Sequence, residues 1–479
     1  MQYARSSSLT LPYFVQYDYE GFRHLDFPLK MVEGICRIMD VVNLQAGIEK
    51  ALDALFADRL ALLCGAGLSM AAPSSVPSAA ALAWKAKQKY DATHGATRPP
   101  LADSIDHQAE FFFQRGELAD VYLKSYIDHD AFAGAPNDGH FAAADLLLTG
   151  GIGTAVSTNV DTLIEAAGNF IFGHVGAGVS RDKVAALPAN RSPLLKIHGC
   201  WSDPSGTVWA EGQVTAEPIH TRLAESAAWL TQRLLDRDLV IVGYWTDWDY
   251  LNQVLEQALA AVSPSRIIVI DPCETAAFET KAKALFDLGQ RAASGFFHVQ
   301  ESGAVFLNQL RVEFSRSMLR RILHSGAASF AAQAGAAPDA AWLEPLSTDA
   351  QTLWRIRRDL EGAMPNEPAK GHQPVEEPLL GMTLLQLQAA GAAAEDICWN
   401  LGGSRIRVLR SVNRPLHEVE AAYAREIAPV VAPEYVIAVG AEALALPASI
   451  ARGGGTGSIV RGSPTKWRSR PDAVAELGL

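Results

Sequence analysis
Five apolar runs in this chain are each followed directly by residues able to do chemistry. In LALLCGAGLSM the run ends in Gly65-Ala66-Gly67, with Ser69 close behind. A strand, a glycine turn and a helix in that order let the backbone approach a phosphate, because glycine has no side chain to hold it off. The same pattern also serves as a tight turn with no ligand. In TAVSTNVD, Thr158, Asn159 and Asp161 stand at the mouth of a run, with Val160 facing away. Asn and Asp are equally the residue types that cap a following helix. SPLLKIHG delivers His198, whose imidazole changes charge near neutrality, or which simply bonds the backbone of a turn. RDLVIVGYW brings Gly243. SRIIVIDP brings Asp271, a residue that before proline also fits plain turn chemistry.

To deliver these residues to one edge, the runs must be strands of one sheet. A helix is expected over LQAGIEKALDALFAD, where Ile48, Leu52 and Leu55 recur at helical spacing. AAALAWKAKQKY and HQAEFFFQRGELADVYLKSYI read as helical, and GHFAAADLLLTG as a helix closed by Gly150. His140, at the start of that last helix, reads as a helix-start or packing residue. HTRLAESAAWLTQRLLD and WDYLNQVLEQALAAV are helical patterns set among the later runs. Strands alternating with helices imply a mostly parallel, Rossmann-like sheet covered on both faces, with ligands at the carboxyl ends of its strands.

In this order, the five positions resemble the sirtuin catalytic domain, specifically the sirtuin-like NAD-cleaving effectors of bacterial anti-phage defence. GAGLS is similar to the family's GAG-x-S turn, TNVDTLIE to its T-N-x-D-x-L-I-E form, KIHG to x-H-G and VGYWTDWDYL to V-G-x-S-x-x-D, across roughly residues 45 to 290. Trp245-Thr246 departs from the small residues of that last turn. The resemblance implies that NAD is the substrate and that no metal is needed. It implies that Asn159 holds the ribose and a water, that His198 is the general base, and that Asp161 accepts from the nicotinamide carboxamide. It makes Gly65, Ala66, Gly67 and Ser69 the diphosphate cradle, with Thr158 and Gly243 lining the cofactor, and it gives the adenosine ribose to Asp271. Deacylating sirtuins carry a four-cysteine zinc module, whereas this chain has no cysteine between Cys200 and Cys273. That favours water over an acyl-lysine as the acceptor. Relatives of this kind pair with a short Argonaute carrying a guide nucleic acid, or with a HerA-type ATPase, and act as oligomers.

Composition bounds the rest. The chain has 479 residues, 49% hydrophobic and 20% charged, enough for two or three domains with a sizeable core. No apolar run reaches the roughly 18 residues of a membrane span, and the first residues lack a secretory pattern, so a cytoplasmic location is expected. The five cysteines form no C-x-x-C pair, which excludes a zinc ribbon. Net charge is -12, yet residues 401–479 hold ten Lys and Arg against seven Asp and Glu. The expected organisation is an extension over 1–44, the sirtuin-like domain over 45–295, a helical segment over 296–365, and a linker over 366–378. An α-rich or α+β interaction and regulatory region follows over 379–479.

Overall fold
The computed structural model describes residues 39–171, 173–244, 249–345, 348–362, 378–424, 432–441 and 465–479. Trp245-Thr246, residues 1–38, the glycine-rich run at 452–458 and nearly all of the expected linker lie outside the described residues.

Eight strands form one wholly parallel sheet: β1 (Asp40–Val41), β2 (Leu60–Cys64), β3 (Thr154–Ser157), β4 (Gly176–Gly178), β5 (Pro193–Lys196), β6 (Asp238–Val242), β7 (Arg266–Ile270) and β8 (Gly295–Val299). Their order is β1-β8-β7-β6-β2-β3-β5-β4. The central strands are mostly apolar because both faces are covered, and successive side chains alternate between two cores. Leu60, Leu62 and Cys64 enter one core, together with Val240, Val242, Ile268 and Ile270. Ala61, Leu63, Leu239, Ile241, Ile267 and Val269 enter the other. The first core is roofed by the helices Leu44–Phe56, Asp138–Leu148 and Gly303–Ala334, the second by Ile219–Arg233 and Asp249–Leu259. Strand order reverses at β2, which lies between β6 and β3, so the crevice expected of such a sheet opens at its carboxyl end.

The expected helix over HQAEFFFQRGELADVYLKSYI is two pieces. Ile105–Phe113 ends before Gly116 (φ 70°), and the wide-turned helix Leu118–Tyr126 follows. With Ala79–His94 these form a separate apolar cluster around Tyr90, Phe112 and Tyr122, which also packs against Val160 and Trp201 beyond the ends of β3 and β5. A helical insert thus walls one side of the sheet's carboxyl edge.

The first core continues without a break into the carboxyl-terminal part of the chain, taking in Leu353, Leu384, Ile406 and Ala473. There a second sheet runs β13-β12-β11-β10-β9, built from Ala393–Glu395, Cys398–Leu401, Ser404–Arg410, Tyr435–Val439 and Lys466–Ser469 as β9 to β13. It is antiparallel over β9 to β11 and parallel over β11 to β13. The helices Gly303–Ala334 and Pro378–Ala389 cross where a Cβ on Gly381 would lie 2.0 Å from the Ile322 carbonyl oxygen, so only glycine allows the approach.

A buried ionic cluster fastens this region to the larger sheet. Asp145, on the helix Asp138–Leu148, accepts from Arg311 Nε at 3.1 Å and from Arg357, and lies 3.7 Å from Arg358. Arg357 also bonds Glu361 at 2.6 Å. Burial raises the Glu361 carboxyl to about 7 despite the Arg357 charge beside it. Asp145 is held below the ordinary carboxylate range: burial opposes this, and Arg357, Arg311 and Arg358 outweigh it. Losing one partner of a buried ion pair strands the other charge, at about 3–5 kcal/mol. We therefore expect Asp145→Ala to lower the free energy of unfolding by about that amount. A urea titration of the full chain checks this, and an unchanged midpoint contradicts it.

Candidate active site
The site starts from a backbone contact. Gly65 N–H donates to the Val242 carbonyl at 2.9 Å and Gly67 N–H to the Gly243 carbonyl at 2.8 Å. A Cβ on Gly65 would stand 2.5 Å from the Gly243 oxygen, and one on Gly243 2.5 Å from the Leu68 nitrogen. Gly243 also has φ 60°, a left-handed conformation that favours glycine. The turn after β2 is thus laid on the end of β6. In this conformation the amides of Gly65 and Gly67 are already bonded to carbonyls, so any phosphate held here needs other donors. Ala66 and Gly67 are exposed at this edge.

Behind the turn, Ser69 is buried and forms the hub of a polar network. Its hydroxyl donates to Asp161 Oδ2 at 2.8 Å and accepts from Asn159 Nδ2 at 3.0 Å. His140 Nε2 lies 3.1 Å from the same oxygen. The His140 tautomer follows from its other nitrogen: Asn137 N–H donates to Nδ1 at 3.2 Å, so the proton is on Nε2 and points at Ser69. A serine that receives a proton from its histidine is a positioned hydrogen-bonding group and not an activated nucleophile. Burial, opposed by the Asp161 charge, lowers His140 to about 4 and keeps it neutral near pH 7. The Asn137 side chain ties this helix start to the turn, donating to the Leu68 carbonyl at 2.7 Å and accepting from Gly139 and His140 N–H.

Asn159 is only 8% exposed, yet its Oδ1 has no partner among the described residues. A buried amide oxygen left unbonded costs about 1–3 kcal/mol, and this one is closed to solvent in the present conformation. Asp161 has both oxygens engaged, Oδ2 with Ser69 and Oδ1 with Leu163 N–H at 3.1 Å. It therefore caps the next helix and serves the network at once. Thr158 bridges β3 to β2 through its amide and hydroxyl, which reach the Cys64 carbonyl at 3.0 and 3.3 Å.

On the neighbouring strand end, His198 Nδ1 lies 3.1 Å from the Thr158 carbonyl. Burial lowers this imidazole to about 4, aided by the Arg222 charge and opposed by its backbone bonds to Thr158 and Val208. His198 and Asn159 are thus joined through one intervening carbonyl. Asp271 lies two strands beyond β2, where its Oδ1 accepts from Cys273 N–H at 2.9 Å in a local turn.

Two contributors are not legible in the sequence reading. Lys196, the buried last residue of β5, donates to the Asp161 carbonyl, to Glu165 at 3.1 Å and to Cys200 Sγ at 3.2 Å, and so fixes the Asp161 backbone. Its signal was a lone charge inside an apolar run. His140 is the other, and its signal was Asn137 three residues earlier at a helix start. Among the described residues no group of three or more His, Cys, Asp or Glu is placed to hold a metal ion, and no helix is long and apolar enough to cross a membrane.

Residues 153–290 match the family described as SIR2-like domain, a span that includes Asn159, Asp161, His198, Gly243 and Asp271. No curated protein is significantly similar to the chain. Among solved structures, a Sir2 in complex with the inhibitor EX-527, 2'-O-acetyl-ADP-ribose and a deacetylated p53 peptide is 14% identical, aligned over 55% of this chain and 98% of that one, with a TM-score of 0.33. A Sir2 homolog–NAD complex is 16% identical over 57% and 94% of the two chains, with a TM-score of 0.31. Residues 153–290 thus match a SIR2-like domain and lie within an eight-stranded Rossmann-like fold.

Proposed function
We propose that the chain hydrolyses NAD to nicotinamide and ADP-ribose. The carrying observation is the unpartnered, buried Asn159 Oδ1 beside a saturated Ser69 hub, at the crevice where strand order reverses. An unbonded acceptor there suits a ribose hydroxyl or the attacking water. The glycosidic bond to nicotinamide breaks heterolytically, nicotinamide leaves with the electron pair, and the anomeric carbon becomes oxocarbenium-like. Water then bonds to that carbon and gives its proton to the His198 imidazole. Such an electron-poor carbon needs little activation of the water, so a weakly basic imidazole is sufficient. Asp161 accepts from the nicotinamide carboxamide on lone pairs beyond those taken by Ser69 and Leu163. Gly65, Ala66, Gly67, Ser69, Thr158 and Gly243 shape the diphosphate end, and Asp271 takes the adenosine ribose.

The acceptor is water and not acyl-lysine because the chain has no cysteine between Cys200 and Cys273 with which to build a zinc module. By resemblance, the activity is that of a cytoplasmic, NAD-depleting effector of anti-phage defence. It is switched on through the carboxyl-terminal region or through a partner, a short Argonaute or a HerA-type ATPase, and works as an oligomer.

Incubating the full chain with NAD and following it by proton NMR is expected to show nicotinamide and ADP-ribose in equal amounts. Asn159→Ala should reduce the rate by about 10²–10³-fold, the loss typical of one positioned polar group. Deacetylation of an acetyl-lysine peptide, or NAD binding with no turnover whether or not the partner is present, would contradict hydrolysis.

The two histidines also set a pH dependence. Each has a folded-state value near 4 against about 6.5 unfolded, so each contributes stability above pH 6.5 that is lost as pH falls through 4. The neutral form of His198 is the base, so kcat/KM should stay flat from pH 8 to about 5 and fall only near 4. His198→Asn should flatten the acid side of the stability profile by about 3 kcal/mol at most. An activity limb at pH 6.5 would show that His198 is not the titrating base.

A further inference from the structure
A cavity of about 470 Å³ lies away from the candidate active site, between the helices Asp138–Leu148 and Leu163–Phe170 on one side and Gly303–Ala334 and Ala350–Glu361 on the other. Its walls include three aromatic rings, Phe141, Phe170 and Trp354, and two guanidiniums, Arg311 and Arg355. Phe141 and Phe170 stand edge to face, with an interplanar angle of 62°. Phe141 and Phe170 meet at 5.5 Å, and Phe170 is 70% exposed, a ring left in water at the mouth of a cavity. Opposite them, the Arg311 guanidinium sits 4.4 Å over the Trp354 ring.

The charges are set for an anion. Arg311 is 5% exposed, and its Nη2 has no hydrogen-bond partner among the described residues; the same holds for Arg355 Nη2. Arg355 has Asp396 at 3.9 Å, at the limit of an ion pair, and the one carboxylate lining the cavity, Asp138, is exposed. Beneath the floor, three buried arginines, Arg311, Arg357 and Arg358, face two buried acids, Asp145 and Glu361. That leaves a net buried positive charge. Guanidiniums that line such a cavity can bind phosphate or carboxylate oxygens by charge-assisted bonds. The volume falls within the range of small-ligand sites.

We propose that this cavity binds a nucleoside phosphate, with its base against Phe170 and Trp354 and its phosphate on Arg311 and Arg355. The site is distinct from the NAD site and does not depend on the hydrolase reading. One helix joins the two places: Asp138 and Phe141 line the cavity, and His140 bonds Ser69.

The test is isothermal titration calorimetry of the full chain with AMP, GMP, CMP and UMP, and with adenosine and inorganic phosphate as partial probes. At least one nucleotide should bind more than tenfold tighter than adenosine or phosphate. Phe170→Ser and Arg355→Gln should each weaken that binding tenfold or more, while Asn159→Ala leaves it within twofold. Phe170 is exposed, so its substitution keeps the fold, and an unchanged urea midpoint verifies this for both variants. Absence of binding by every nucleotide at millimolar concentration overturns the proposal. So does binding that survives both cavity variants or that Asn159→Ala abolishes, which would place the ligand in the NAD site.

Discussion
The arrangement depends on one contact, that between the turn after β2 and the end of β6. With no Cβ at 65, 67 or 243, two backbone segments touch directly, and two N–H groups of the turn are bonded to the Val242 and Gly243 carbonyls. The turn is therefore held to the sheet by its own backbone, and the first helical residues after it have a fixed origin. Ser69 can reach Asn159, Asp161 and His140 together only because that origin does not move. Any side chain at these glycines would push the turn away and separate the hub from three partners that come from two other segments.

The polar network shows how a mostly apolar sheet can carry buried polar groups. The strands are mostly apolar, and the polar atoms of the site begin at or just after the strand ends, where the ladder stops and neighbouring carbonyls can accept. Thr158 bonds the Cys64 carbonyl and His198 bonds the Thr158 carbonyl, so the histidine strand is tied to the asparagine strand and through it to the central strand. Lys196, the last residue of β5, is the charged case. It is a buried ammonium, tolerated because a carbonyl, a carboxylate and a thiol surround it. Its value rises above the ordinary lysine range: burial lowers it, and Glu165 and Cys200 more than compensate.

Much of this was legible in the sequence. The four long apolar runs became β2, β5, β6 and β7, because a buried parallel strand writes itself as an apolar run. β8, GFFHV, was not read, because its paired aromatics and a histidine give no periodic signal. β4 is three small residues, and its pairing with β5 is a tertiary fact. In the carboxyl-terminal part SRIRVLR gives no strand signal, because alternating arginines look like a solvated segment. Arg407 instead turns inward to Asp359 at 2.7 Å. At the site, Asp161 meets the following helix through one carboxylate oxygen and bonds Ser69 through the other, a partner that neither reading of it named. A residue type alone could not separate the two uses, because neither excludes the other.

The least legible feature is also the most consequential for how the chain is organised. Arg311 and Arg357 read as ordinary charges on amphipathic helices, yet their partner Asp145 lies 166 and 212 positions earlier. That aspartate is in the middle of the helix whose first turn places His140 and whose outer face borders the cavity. A buried guanidinium tolerates little displacement of its carboxylate, because a bond lengthened in a low-dielectric interior is not replaced by water. The helix is therefore held at its start by the active-site turn through Asn137 and in its body by the carboxyl-terminal helices through Asp145, so one helix is shared by the candidate site and the carboxyl-terminal region.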